Sequence, residues 1–97
     1  MTADEKRHLS RVAALGCIVC LLHEGVFSPA EVHHIKHHTG IGRRSTHYET
    51  LPLCPAHHRT GGLGVAYHAG PGTWEIKFGT QLELLAEVEA LLETADA

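Results

Sequence analysis

Cys17-Ile-Val-Cys20 and Cys54-Pro-Ala-His57 are two half-sites with the same spacing. Two residues between donors let a chain turn and place both donor atoms on one ion. Three thiolates and one imidazole form a common structural zinc set, and a closed four-ligand site leaves no open position for chemistry. A lone C-x-x-C is shared with redox pairs. The second half-site favours metal, and the matching spacings weigh against three unrelated buried thiols.

Histidines remain once that set is complete. Eight of the ten lie between Glu31 and His68. In Glu31-Val-His-His-Ile-Lys-His-His, the first pair, His33 and His34, reads as a ligand and a base, and His37 and His38 as solvated. A metal-scavenging tract is the alternative. His58 directly follows His57, so it cannot easily join the same ion and faces another side of a short helix. A resumed helical turn over 65–69 would bring His68 back toward it. His23 reads as a surface residue. Imidazole suits proton abstraction near neutral pH, its unperturbed pKa being about 6.5.

Ninety-seven residues bury a modest core, so a metal staple is expected. An odd cysteine count fits a disulfide framework badly. No stretch approaches the roughly 18 apolar residues of a membrane span, and Met1 to Glu5 is no signal peptide, so a soluble cytoplasmic chain is expected. The net charge of −3 argues against nucleic acid, but its distribution argues back. From Val32 to Gly70, Lys36, Arg43, Arg44 and Arg59 face Glu49 alone, while Glu75, Glu83, Glu87, Glu89, Glu93 and Asp96 crowd the C-terminal part. Local potential steers a polyanion better than net charge does.

The elements that must position these groups are legible from caps and periodicity. Thr2 to Glu5 fits a capping box, and a helix follows over 3–15 with Leu9, Val12 and Ala13 on one face, ended by Gly16. Residues 21–31 read as a loop. Strands are expected over Val32–Lys36 and His47–Leu53, joined by a loop in which Gly40 and Gly42 let backbone approach a partner. Pro55 suits the first turn of a short helix. The Gly61-Gly62-x-Gly64 run lacks the strand–turn–helix context of a dinucleotide site. Thr73 is placed to cap a helix over Trp74–Phe78. Thr80 and Glu83 open a last helix over 81–94, with Leu84, Leu85, Val88, Leu91 and Leu92 in one stripe.

C-x-x-C, then V-H-H-I, then L-P-L-C-x-x-H-H resembles the HNH, or ββα-metal, endonucleases. The tail YHAGPGTWEIKFGTQLELL is similar to the Ref-type RecA-dependent nucleases of phage, and the likeness runs from about Leu15 to Leu92. It implies an α+β fold: a small zinc-stapled ββα-metal domain over 1–97, with its core at 15–70 and packing helices at 3–15 and 81–94. It implies structural zinc on Cys17, Cys20, Cys54 and His57. It further implies a catalytic divalent metal (Mg, Mn or Zn) on His33 and His58, with His68 as candidate third ligand, and His34 as general base.

The family's middle asparagine orients that base, and this chain contains no asparagine. His47 is the nearest substitute. Arg43, Arg44, Arg59 and Lys36 are the expected DNA contacts. The expectation is a monomeric endonuclease, bacterial or phage-encoded, that hydrolyses DNA in recombination or repair. A RecA-type recombinase filament is a candidate partner, although no long basic N-terminal arm calls for one. A non-catalytic zinc-stapled DNA-binding or recombination accessory module is the alternative, and a metal-sequestering His-rich protein is the weaker third.

Overall fold

The computed structural model describes residues 1–36 and 46–96. The expected roles of His37, His38, Arg43 and Arg44 therefore lie outside the described residues. The elements run α1 (Ala3–Ala14), α2 (Ile18–Glu24), β1 (Glu31–His34), β2 (Thr50–Leu53), a π-helical turn (Ala56–Thr60), a 3-10 turn (Tyr67–Ala69), α3 (Pro71–Phe78) and α4 (Gln81–Asp96).

Helix α1 starts as its sequence dictates. Thr2 and Glu5 close a reciprocal capping box, satisfying two amides that the first turn would leave unpaired. Gly16 follows it with φ +77°. A Cβ there would lie 2.6 Å from the Phe27 ring, so the left-handed turn and the close approach both require glycine. That turn aims the Cys17 amide at the Ser28 carbonyl (2.9 Å) and launches α2.

Helix α2 occupies part of the stretch expected to be a loop. Cys17 is its N-cap, Ile18 and Val19 are buried, and Gly25 ends it at φ +67°. Ile18 and Val19, between the cysteines, belong to the core, and that burial overrides the loop-like polarity of His23 and Glu24. The two cysteines consequently sit three residues apart on one helical face rather than on an isolated knuckle.

The sheet is a two-stranded antiparallel hairpin, pairing Glu31 with Leu53, Val32 with Pro52, His33 with Leu51 and His34 with Thr50. Both strands are shorter than expected. His47 lies in a turn, not on β2: the Glu49 amide bonds the Thr46 carbonyl and the Thr50 hydroxyl bonds the His47 carbonyl. Beyond β1, the backbone of Lys36 bonds a side chain, that of Gln81.

Helix α1 packs on β1, β2 and α4, while α2 and α4 pack on β2. Val12, Ile18, Val19, Ile35, Leu51, Leu53, Leu84, Val88 and Leu92 join the three cysteines in one core. The stripe expected on α4 is the face that packs, with Leu85 and Leu91 at its half-buried margin. Helix α3 begins three residues earlier than expected, because Pro71 at the first position supplies a preset φ and needs no amide partner. Trp74 on α3 is fully buried and donates its indole N–H to the His57 carbonyl (3.1 Å). It also meets Tyr67 and Phe78 edge-on. The hydroxyl of Tyr67 is buried with no hydrogen-bond partner among the described residues.

Leu51 is fully buried opposite His33. Leu51→Ala should lower unfolding free energy by about 2–5 kcal/mol through lost burial and a residual cavity, read by urea denaturation of zinc-saturated protein. A change under about 1 kcal/mol would place the core elsewhere.

Candidate metal centres

The turn at 56–60 positions one donor for each of two clusters. His57 and His58 are neighbours, so on a helical turn their side chains diverge. The His58 amide bonds the Cys54 carbonyl (2.9 Å), and the Gly61 amide bonds the Ala56 carbonyl (3.0 Å), the wider π-type closure. His57 turns toward the sulfurs and His58 toward the other histidines.

In the first cluster, His57 Nδ1 lies 3.6 Å from Cys17 Sγ, 3.5 Å from Cys20 Sγ and 3.2 Å from Cys54 Sγ, and the Cys20 and Cys54 sulfurs are 3.9 Å apart. A tetrahedral zinc with ordinary bond lengths would have edges of about 3.8 Å between sulfurs and about 3.6 Å from sulfur to nitrogen. The four donors thus frame a volume that suits such an ion. The three cysteines are free thiols rather than disulfides. Burial pushes the Cys17 thiol up to about 12, so a cation bound there would have to displace its proton. Burial also holds the His57 pKa down, which keeps its lone pair available. The four residues expected from the two half-sites are the four that converge, and they could hold a metal such as zinc.

The second cluster brings together His33 from β1, His58 from the π-helical turn and His68 from the 3-10 turn. One ring nitrogen from each lies within 4.8 Å of the others. His58 Nε2 and His68 Nε2 are 3.1 Å apart, close to the edge of a coordination shell built on metal–nitrogen bonds of about 2.0–2.1 Å. His33 is 2% exposed, and its pKa is lowered to about 4. Burial is the main cause, opposed by a hydrogen bond to Gln81 and reinforced by His58 and His68. A neutral imidazole is the form that donates to a metal. His68 is also lowered, first by burial and then by His58.

Glu31 completes this cluster from outside. Its carboxylate accepts from His58 Nδ1 (2.8 Å), and from Nε and Nη2 of Arg59 (2.8 Å each). His58 Nδ1 must therefore carry the proton, leaving Nε2 to ligate, the usual carboxylate–histidine arrangement around metals. The Arg59 hydrogen bonds first, then that of His58, hold the Glu31 carboxyl down at about 2. Arg59, expected at phosphate, is thus already forked onto an acid. Glu31 was missed by motif reading. Its signal was strand periodicity, since it stands two residues before His33 and shares its face.

His34 does not join the convergence. It follows His33 on a strand and takes the opposite, exposed side. Its Nε2 lies 2.9 Å from Nδ1 of His47. Burial, then the charge of His47, lowers its pKa. His47 is therefore the residue in contact with the expected base, although a turn rather than a strand delivers it. Lys36 is exposed. His23 stays at the surface, against the Phe78 carbonyl (3.3 Å).

Residues 1–93 match the family model described as recombination enhancement, RecA-dependent nuclease. The chain belongs to that family. Membership in the RecA-dependent nucleases makes it a nuclease of recombination, with a DNA substrate and a relation to RecA. Among the described residues, no helix of this family member is long and apolar enough to cross a membrane.

Cys54→Ser should abolish tight binding of the first ion and lower thermal stability, and a strong chelator should do the same to the unaltered chain, exposing Trp74 to solvent. Affinity should rise with pH, because the thiols must lose protons. Unchanged Trp fluorescence and melting after verified metal removal would contradict a structural role for this cluster.

Proposed function

We propose that this chain is a metal-dependent DNA endonuclease of the HNH type, with structural zinc at Cys17, Cys20, Cys54 and His57. The observation that carries the reading is the meeting of His33, His58 and His68 beside a separate, complete cysteine site. A hairpin followed by a short turn supplies the first two donors, the arrangement implied by a ββα-metal core. We place the work in phage or prophage recombination and treat residues 1–97 as one nuclease unit.

The donor set fits a catalytic divalent ion. Three imidazole ligands leave coordination positions free, unlike the closed sulfur-rich site. When bound, Mg²⁺, Mn²⁺ or Zn²⁺ would act as a Lewis acid toward the scissile phosphate and its leaving oxygen.

His34 is the general base. It adjoins His33 on β1 but faces the exposed side, so a phosphate held at the cluster must extend past the strand to bring its phosphorus within reach of His34. Water attacks phosphorus, its proton passes to His34, and the bond from phosphorus to the leaving oxygen breaks. For His34 to accept that proton at Nδ1, its Nε2–H must donate to His47 Nδ1. His47 thereby takes the orienting place of the absent asparagine. Lys36, Arg43 and Arg44 hold flanking phosphates. Arg59 contributes through the carboxylate that it shares with His58, and any direct phosphate contact is secondary.

The test is cleavage of plasmid and single-stranded DNA with each metal, with and without a RecA filament. His34→Ala should cut at least about 100-fold more slowly, with zinc content and circular dichroism unchanged. Undiminished cutting would remove His34 from the role.

The pH profile separates base from scaffold. A lowered pKa means that His34 is protonated only at more acid pH, so the acid limb of kcat/KM should fall below about 6.5. His47→Ala removes one cause of that lowering and should move the limb upward. A downward shift or no shift would contradict the pairing. A non-catalytic binding module predicts DNA binding with no cutting and a single ion per chain.

A further inference from the structure

Helix α4 reads from sequence as a packing element, yet its first side chain reaches the second cluster. Gln81 is 2% exposed. Its amide spans the backbone of Lys36: Oε1 accepts the Lys36 N–H (2.9 Å), and its Nε2 donates to the Lys36 carbonyl (3.0 Å). The same Oε1 lies 2.9 Å from His33 Nε2.

The orientation of this amide is decided by the main chain. A flipped amide would set N–H₂ against the Lys36 N–H and oxygen against the Lys36 carbonyl, replacing two hydrogen bonds by two repulsions. The oxygen therefore faces His33. An oxygen that only accepts requires the ring nitrogen opposite to donate. His33 is then fixed as the Nε2–H tautomer, with its lone pair on Nδ1.

The anchoring of Gln81 is itself independent of the histidine. Thr80 and Glu83 close a capping box around the start of α4. The Gln81 amide N–H bonds Glu75 Oε2 (2.8 Å). The side chain is thus held by its helix on one side and by the strand exit on the other, before His33 is considered.

We infer that Gln81 is a positioning residue for the second metal centre: it sets the tautomer and ring orientation of His33, so that Nδ1 is the ligating atom. This rests on the reading of His33, His58 and His68 as a metal site. It makes α4 part of that site, and it pairs Gln81 on His33 with Glu31 on His58. The two ligands are oriented through opposite nitrogens: His58 through Nδ1 with Nε2 ligating, His33 through Nε2 with Nδ1 ligating. Outer partners of this kind are commonly worth about 10–100-fold in metal affinity.

The experiment is long-range ¹H–¹⁵N NMR of the histidine rings in protein carrying one zinc, before and after a second equivalent of Zn²⁺. It is combined with competition titration of that second ion. The expected result is an Nε2–H His33 in the unaltered chain, with Nδ1 shifting when the second ion binds. Gln81→Met should lose that single tautomer and weaken the second ion about 10–100-fold, leaving the first in place. Gln81→Glu keeps an acceptor for His33 and should keep the Nε2–H form.

An Nδ1–H His33 in the unaltered protein overturns the inference without needing any variant to fold. Unchanged tautomer and affinity in folded Gln81→Met overturn it as well. Failure of the unaltered chain to take a second ion overturns the metal reading of the cluster, and the role of Gln81 falls with it.

Discussion

The constraint on which the rest depends is the adjacency of His57 and His58 on one short turn. One ring faces three sulfurs and the other faces two imidazoles and a carboxylate. Two neighbouring residues can serve two ions only if the turn is held rigidly. The π-type closure at Gly61 and the indole hydrogen bond from Trp74 to the His57 carbonyl supply that rigidity. The proposed zinc would then do more than staple a small core. By fixing His57 it would fix the direction in which His58 leaves the chain.

Much of this was legible in the chain itself. The half-sites announce the first cluster because coordination chemistry demands a particular spacing, and spacing survives in one dimension. Capping boxes at Thr2 and Thr80 and the apolar stripe of α4 are likewise local. What was missed depends on partners distant in sequence. The polar end of α2 looks like a loop until the buried face of Ile18 and Val19 is counted. The strands stop early because His47 to Glu49 prefer side-chain-assisted turns and because the Lys36 backbone finds Gln81. Glu31 had a periodicity signal. Gln81, 48 residues from His33 and hidden beside a capping threonine, had none.

The site also revises a simple charge argument. The segment around the histidines is basic in sequence, but Arg59 is forked onto Glu31, two residues before His33. That carboxylate offsets the arginine and holds His58 in the form that can ligate. A residue that looks like a phosphate contact in sequence is, in the fold, a brace for the carboxylate on His58. Of the cations expected at DNA, Lys36 stays exposed, and a bound cation would add to the positive field.

The central claim is that sulfur-rich and nitrogen-rich donors hold two different ions a few residues apart. Anomalous scattering from zinc-loaded crystals soaked in Mn²⁺ tests it most directly. The expected result is a zinc peak among Cys17, Cys20, Cys54 and His57, and a separate manganese peak among His33, His58 and His68. A single peak at the cysteines, or manganese held by histidines other than those three, would contradict it.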